Sequence, residues 1–310
     1  MSVAPAALRS LDIFTMVLQP VDMKSIVRLL FGIVLTLTAS AETLVIFGSG
    51  TVATAITPAI GEFKKASGID VTLKPLPSVK GIFAVAEGQA QIGLTIADVS
   101  DAQRQLYPTV DFHSTLVGRG AIYLLVSADV WEAGVHALSR EQVLSVIEKQ
   151  TVNWKTLGGA DVPITFHSPA GGSLANFGKW LYGKSTPEFA AKMKPFEYHP
   201  TVGGSNIVGT AEDIGLSHGV LAALSEHFRP EKSKARKLAI ILPDETVEAT
   251  AANISSGRYP LSFNLQLITS GPPQGAAKRA IDFLLGEKAQ TLIEAEGYAR
   301  ILTPTQKPSK

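Results

Sequence analysis

Small hydroxyl and glycine residues at the end of a predicted strand are the first candidates for chemistry in this 310-residue chain. The apolar run at residues 44–47 predicts a buried strand, and Ser49, Gly50 and Thr51 follow it closely. Thr51 is expected to cap a helix that runs to residue 67. A strand end, a tight turn and a helix start together present unpaired backbone N–H groups, which favour a small anion. The alternative is an ordinary turn with a helix cap.

Three later turns repeat this combination of strand end, polar residue and helix start. In α/β sheets, ligands bind outside the carboxyl ends of the strands, so these turns are expected to meet there. The candidate ligand-binding residues are Ser49, Gly50 and Thr51 in the first turn, Ser78 and Lys80 in the second, Thr95 and Asp98 in the third, and His167, Gly171, Gly172 and Ser173 in the fourth.

Three of these candidates have an alternative structural role. Lys80 can restore charge near an anion, or it can be a solvated lysine at a helix start. Asp98 can accept a proton from a protonated oxyanion, or it can cap the next helix. His167 can donate to a ligand, or it can be a satisfied polar residue at a strand end.

Strands and helices alternate along the chain, which predicts an α/β fold with mostly parallel sheets. The predicted strands are residues 44–47, 69–73, 91–95, 111–117, 121–127, 162–167, 214–217, 238–242 and 259–268. The predicted helices are residues 51–67, 82–87, 139–148, 174–182, 246–255, 275–285 and 287–296, with a polar helix ending near residue 105.

The first 41 residues read as a secretory signal peptide. Lys24 and Arg28 form a basic start, residues 29–38 are apolar, and Ala39 and Ala41 give the small-x-small pattern before a cleavage site. The apolar run is shorter than the ~20 residues that span a bilayer. Met23 is the expected true start, and the mature protein is expected to be periplasmic without a lipid anchor.

Composition excludes several kinds of site. The chain has no cysteine, so disulfides and thiolate chemistry are absent, and its net charge of +1 gives no basic field for nucleic acid. The six histidines include no close pair of the His-x-x-x-His type, so no metal or other cofactor is expected.

Six motifs in order resemble the periplasmic phosphate-binding proteins of ABC transporters, which have the type II solute-binding fold. The motifs are Gly-Ser-Gly-Thr at 48–51, Ser-Val-Lys-Gly-Ile at 78–82, Val-Asn-Trp-Lys-Thr-Leu-Gly-Gly at 152–159, Ser-Pro-Ala-Gly-Gly-Ser-Leu-Ala-Asn-Phe at 168–177, Ser-Gly-Arg-Tyr-Pro-Leu-Ser at 256–262, and Ala-Gln-Thr-Leu-Ile-Glu-Ala-Glu-Gly-Tyr at 289–298. The resemblance runs from about residue 43 to residue 303, nearly the whole of the expected mature chain.

The resemblance implies two α/β domains that close on a ligand. Domain I would comprise residues 42–120 and 263–310, and domain II residues 121–262, with hinge strands near 121–127 and 260–268. It also implies a function, the capture of phosphate or a related small oxyanion by a monomer that delivers it to a membrane permease.

The same resemblance shows where this chain departs from the family pattern. The family has Arg where His167 stands. Its third loop usually has Ser or Asp, often followed by Arg, where Ile96 and Ala97 stand, and Asp98 lies just beyond them. Gly171 replaces a hydroxyl residue, and Ser173 replaces Thr. Because neutral His does not supply the charge of Arg, a different small anion or metabolite is the alternative ligand.

Two other classes of function are weighed against binding. A serine hydrolase would need Ser173, His167 and Asp98 to meet, but no Gly-x-Ser-x-Gly elbow follows a strand. A structural or adhesive exported protein would bind no small ligand.

Overall fold

The computed structural model describes residues 42–169, 171–184, 186–196, 207–225 and 234–301. The predicted signal peptide and the start at Met23 lie outside the described residues. In the part that is described, no helix is both long and apolar enough to cross a membrane.

Strands and helices alternate through most of the described chain, as the sequence predicts. The strands are β1 Thr43–Ser49, β2 Asp70–Leu76, β3 Ile92–Thr95, β4 Phe112–Ala121, β5 Tyr123–Val126, β6 Ala137–Ser139, β7 Thr165–His167, β8 Val220–Leu224, β9 Arg236–Lys237, β10 Ala239–Ile241, β11 Thr246–Val247 and β12 Ser262–Ser270. The α-helices are α1 Gly50–Ser67, α2 Ser78–Ala86, α3 Asp101–Leu106, α4 Ala128–Glu132, α5 Arg140–Ile147, α6 Gly171–Tyr182, α7 Pro187–Met193, α8 Ile207–Leu216, α9 Ala251–Ser256, α10 Gly275–Leu285 and α11 Glu287–Ala295. Two short 3₁₀ helices span Trp154–Leu157 and Lys194–Phe196.

A five-stranded sheet in the order β2-β1-β3-β12-β4 carries the first three polar turns. β1 runs parallel to both β2 and β3, so the turns after these strands lie at one edge. β12 returns from the far end of the chain and pairs antiparallel with β3 and β4. The sheet is therefore mixed, whereas alternation of strands and helices predicts mostly parallel pairing.

Two smaller sheets hold the middle of the chain. One has the order β7-β8-β5-β9, with β7 parallel to β8 and the other pairs antiparallel. The other has the order β11-β10-β6, with β10 parallel to β6. Trp154 is fully buried here, and its Nε1 donates to the carbonyl oxygen of Gly219 at 2.9 Å.

The chain passes between the large sheet and the four-stranded sheet through a single residue. Ile122 lies between β4 and β5, is fully buried, and donates its backbone N–H to Leu261 at 2.9 Å. Next to it, Ala121 pairs with Ser262 at the start of β12. Two antiparallel segments thus lie side by side where β4 ends and β12 begins.

Helix α1 shows how the sequence forms the elements that support the site. It buries one face, which includes Ile56, Ile60 and Phe63, and the Phe63 ring lies 5.6 Å from that of Phe283 on α10. The helix ends at Gly68, whose φ of 70° is the left-handed conformation that glycine adopts without strain. Burial of this apolar face holds α1 against the core.

Three local predictions are wrong. Residues 246–247 form β11 rather than the start of the predicted helix 246–255, and α9 begins at Ala251. Ser49, not Thr51, caps α1, because the Ser49 hydroxyl is the one that accepts from the Val52 N–H. Residues 214–217 are not a strand, since α8 runs to Leu216 and Ile214 is buried on it. A four-residue apolar run does not distinguish a strand from the end of a helix.

Candidate functional site

Glycine residues bring the first three turns together. A Cβ placed on Gly48 would lie 2.3 Å from the carbonyl oxygen of Leu94 and 3.1 Å from the Cα of Gly81. A Cβ on Gly81 would lie 2.6 Å from the carbonyl oxygen of Phe47. Only glycine permits these approaches, so the ends of β1 and β3 and the start of α2 form one tightly packed unit.

The first two turns place their polar residues at helix starts. Ser49 is buried and caps α1, Gly50 is its first residue and Thr51 is half-buried. Ser78 is the first residue of α2 and is half-buried, and Lys80 is exposed. The first-turn N–H groups of α1 and α2 are thus both located at the carboxyl edge of the large sheet.

The third turn holds a carboxylate in place. Thr95 is fully buried, and its hydroxyl donates to Ala97 at 2.8 Å, so this side chain is used within the turn. Asp98 is exposed and accepts from Gln266 Nε2 at 3.0 Å, while Gln266 accepts from Ser114. The capping alternative for Asp98 is wrong, because Ser100 caps α3.

The fourth turn contacts the third. Gly171 and Gly172 begin α6, and a Cβ on Gly172 would lie 2.9 Å from Ile96 Cδ1. Ser173 is buried. His167 ends β7 half-buried, and burial lowers its pKa below the ordinary value of 6.5. His167 therefore carries little positive charge near neutral pH.

A cleft of about 1020 Å³ lies beside the third and fourth turns. Most of its wall is formed by residues outside these turns. Among the described residues predicted for ligand binding, Asp98 is the one that lines it, together with Ile96 and Ala97. The other polar and aromatic residues of its wall are Ser100, Arg119, Asn176, Lys179, Trp180, Lys184, Tyr259, Ser262, Phe263, Asn264 and Gln266. The wall combines one carboxylate with three cationic side chains.

Most of this wall was missed by reasoning from turns alone. Arg119 lies on β4 opposite Asn264 of β12, and Asn176, Lys179 and Trp180 lie on one face of α6 at helical spacing. Two signals in the sequence pointed to them. Arg119 is a lone charge between Gly118 and Gly120 in an apolar segment, and α6 has polar residues at i and i+3, Asn176 and Lys179.

Known proteins share this fold over most of the chain. The chain is 25% identical over 232 residues to the phosphate-binding protein PstS of Bacillus subtilis, which covers 74% of this chain and 70% of that protein. A putative phosphate ABC transporter substrate-binding protein of Clostridium perfringens, solved with bound phosphate, is 20% identical with a TM-score of 0.63. An ABC-type phosphate transport receptor of Vibrio cholerae is 19% identical with a TM-score of 0.64. Both structures cover 84% of this chain and are themselves covered completely.

The match to a family model shows to which protein family the chain belongs. The model described as the PBP superfamily domain matches residues 36–288, which include all four turns and every residue of the cleft wall. With this match over most of its length and with its mixed α/β sheets, this chain belongs to the PBP superfamily domain family.

Proposed function

We propose that the protein captures a small oxyanion, first of all phosphate, in the cleft and delivers it to the membrane permease of an ABC importer. It would act in the periplasm as a monomer, without a cofactor and without catalysing a reaction. The phosphate-binding PstS relative of Bacillus subtilis and the phosphate-bound structure from Clostridium perfringens support this choice of ligand.

The observation that carries the proposal is the meeting of the third and fourth turns at the cleft. Ile96 and Asp98 lie in the turn after β3, and Gly172 at the start of α6 approaches Ile96 closely. A carboxylate held by Gln266 accepts a hydrogen bond, which suits an oxyanion that still carries a proton. The cationic side chains of Arg119, Lys179 and Lys184 in the same wall suit its charged oxygens.

The crossing at Ile122 supports a two-domain arrangement that closes on the ligand. We place domain I at residues 42–120 and 263–310 and domain II at residues 121–262, with the hinge strands near 121–127 and 260–268. Because few residues cross between the sheets, rotation about them would change the width of the cleft.

Calorimetric titration of the protein starting at Glu42 tests the ligand. Phosphate is expected to bind with one site per chain. Asp98→Asn is expected to weaken phosphate binding about ten- to hundredfold, the range for a lost hydrogen bond to a charged group. Sulfate has no proton to donate at neutral pH, so its binding should be unchanged or tighter in this variant.

Asp101→Asn is the matched control, because Asp101 is exposed in the first turn of α3 and does not line the cleft. It should bind phosphate like the wild type. Absence of phosphate binding by the wild type would reject phosphate as the ligand. Turnover of phosphate or acyl esters by the same preparation would favour a hydrolase instead.

A further inference from the structure

Two residues of the cleft wall each have a buried nitrogen donor without a hydrogen-bond partner among the described residues. Arg119 Nε and Asn176 Nδ2 are both inaccessible to water, and neither has a hydrogen-bond partner among the residues described. Both side chains line the cleft wall. A buried donor that forms no hydrogen bond costs free energy, so two of them at one cavity require an explanation.

Arg119 is held in this position by its surroundings. It lies on β4 directly before the crossing at Ile122, and its neighbour across the sheet is Asn264. Its guanidinium packs against Gly257, where a Cβ would lie 2.2 Å from Nη1. Gly257 ends α9 with a φ of 77°, a conformation that favours glycine, and so leaves room for the arginine.

Asn176 faces the cleft from a different part of the chain. It is half-buried on α6, and Lys179 and Trp180, one turn further, line the same cleft. The two unpartnered donors therefore belong to separate elements, β4 beside the crossing and α6 beyond it. A ligand with several acceptor oxygens would satisfy both at once.

We propose that Arg119 and Asn176 hold the oxygens of the bound anion, and that Arg119 supplies its positive countercharge from the strand beside the crossing. This assignment rests on the proposed function and adds to it a source of charge outside the four turns. Burial disfavours the charged form of His167, so the fourth turn does not provide that charge near neutral pH. A planar guanidinium binds two oxygens of one oxyanion and stays charged throughout the working pH range.

The first test needs no ligand. Met has nearly the size of Arg and no polar head, so Arg119→Met removes the unpartnered Nε–H and should melt at or above the wild-type temperature. Arg140→Met is the control, since Arg140 is exposed and pairs with the adjacent Glu141, and it should melt like the wild type. A clearly lower melting temperature for Arg119→Met would show that Arg119 is structural and would overturn the assignment.

The second test titrates the same proteins with inorganic phosphate. Arg119→Met and Asn176→Leu should each lose about ten- to hundredfold in affinity, and Arg119→Lys should recover only part of it. Full wild-type affinity in Arg119→Met would overturn the assignment and leave the proposed function intact.

Failure of the proposed function gives a different result. If phosphate does not bind the wild type, sulfate and malonate are titrated in its place. An anion that binds the wild type and loses affinity in Arg119→Met would support the assignment with another ligand. If none of the three anions binds the wild type, both the proposed function and the assignment are wrong.

Discussion

Gly81→Ala should destabilise the protein by forcing apart the turns at the carboxyl edge of the large sheet. The added Cβ would lie 2.6 Å from Phe47 O, 2.8 Å from Gly48 Cα and 3.0 Å from Leu94 O. Overpacking typically costs ~1–3 kcal/mol, and the upper end applies here because backbone atoms cannot rotate away. The higher helix propensity of alanine relative to glycine offsets about 1 kcal/mol of this cost, so the expected net loss in the free energy of unfolding is about 2 kcal/mol.

Gly61→Ala is the matched control on the neighbouring helix. Gly61 lies inside α1, and a Cβ there would meet nothing within 4 Å. Helix propensity alone then applies, and the variant should gain about 0.5–1 kcal/mol. The same substitution in two helices of one chain is thus expected to act with opposite sign.

Urea unfolding of the protein starting at Glu42 measures the change in the free energy of unfolding for both variants. In thermal unfolding, about 1 kcal/mol corresponds to 2–4 °C at this size, so the melting temperature of Gly81→Ala should be about 4–8 °C lower. Phosphate affinity should also fall in Gly81→Ala, because the turns are displaced. Equal stability of Gly81→Ala and the wild type would refute the close packing of Gly81 against Gly48 and Leu94.

Three further predictions concern single side chains. Ser49→Ala should cost about 1 kcal/mol through loss of the α1 cap, whereas Thr51→Ala should cost less; urea unfolding of the two variants compares them. Because burial lowers the His167 pKa in the folded chain, the unfolded chain takes up the proton first as the pH falls through 6.5. The wild type should therefore lose stability between about pH 7 and pH 5 relative to His167→Gln, and parallel pH profiles would contradict this. Trp154→Phe should cost about 1–3 kcal/mol, because it leaves the buried carbonyl of Gly219 without its donor, and an unchanged unfolding midpoint would rule that out.

The regular part of the fold follows from the sequence because its signals are local. The apolar strand β1, the helix stop at Gly68 and the capping box of Ser139 with Gln142 are all short-range patterns, and the structure contains each of them. The antiparallel place of β12 between β3 and β4 depends on contacts across most of the chain, which periodicity does not record.

The site was less predictable than the fold, because it too depends on contacts between segments that are distant in the sequence. Asp98 was found because it follows a strand, and it does line the cleft. Arg119 was passed over because it lies within a strand rather than after one, and Asn176 because it lies in the second turn of a helix. Their importance comes from a cleft that forms only when β4, β12 and α6 are assembled. Contacts between segments that are far apart in the sequence, rather than residue type, bring Arg119 and Asn176 to the same cleft.

The insertion of β12 between β3 and β4 constrains the order in which the chain can fold. During synthesis, β1 to β4 emerge first, but the strand that must lie between β3 and β4 is Ser262–Ser270. Until that segment has been made, the large sheet lacks an inner strand, and β3 and β4 both lack their native partner. Such distant contacts also slow folding. The large sheet of a nascent chain therefore stays incomplete until most of the chain has been made.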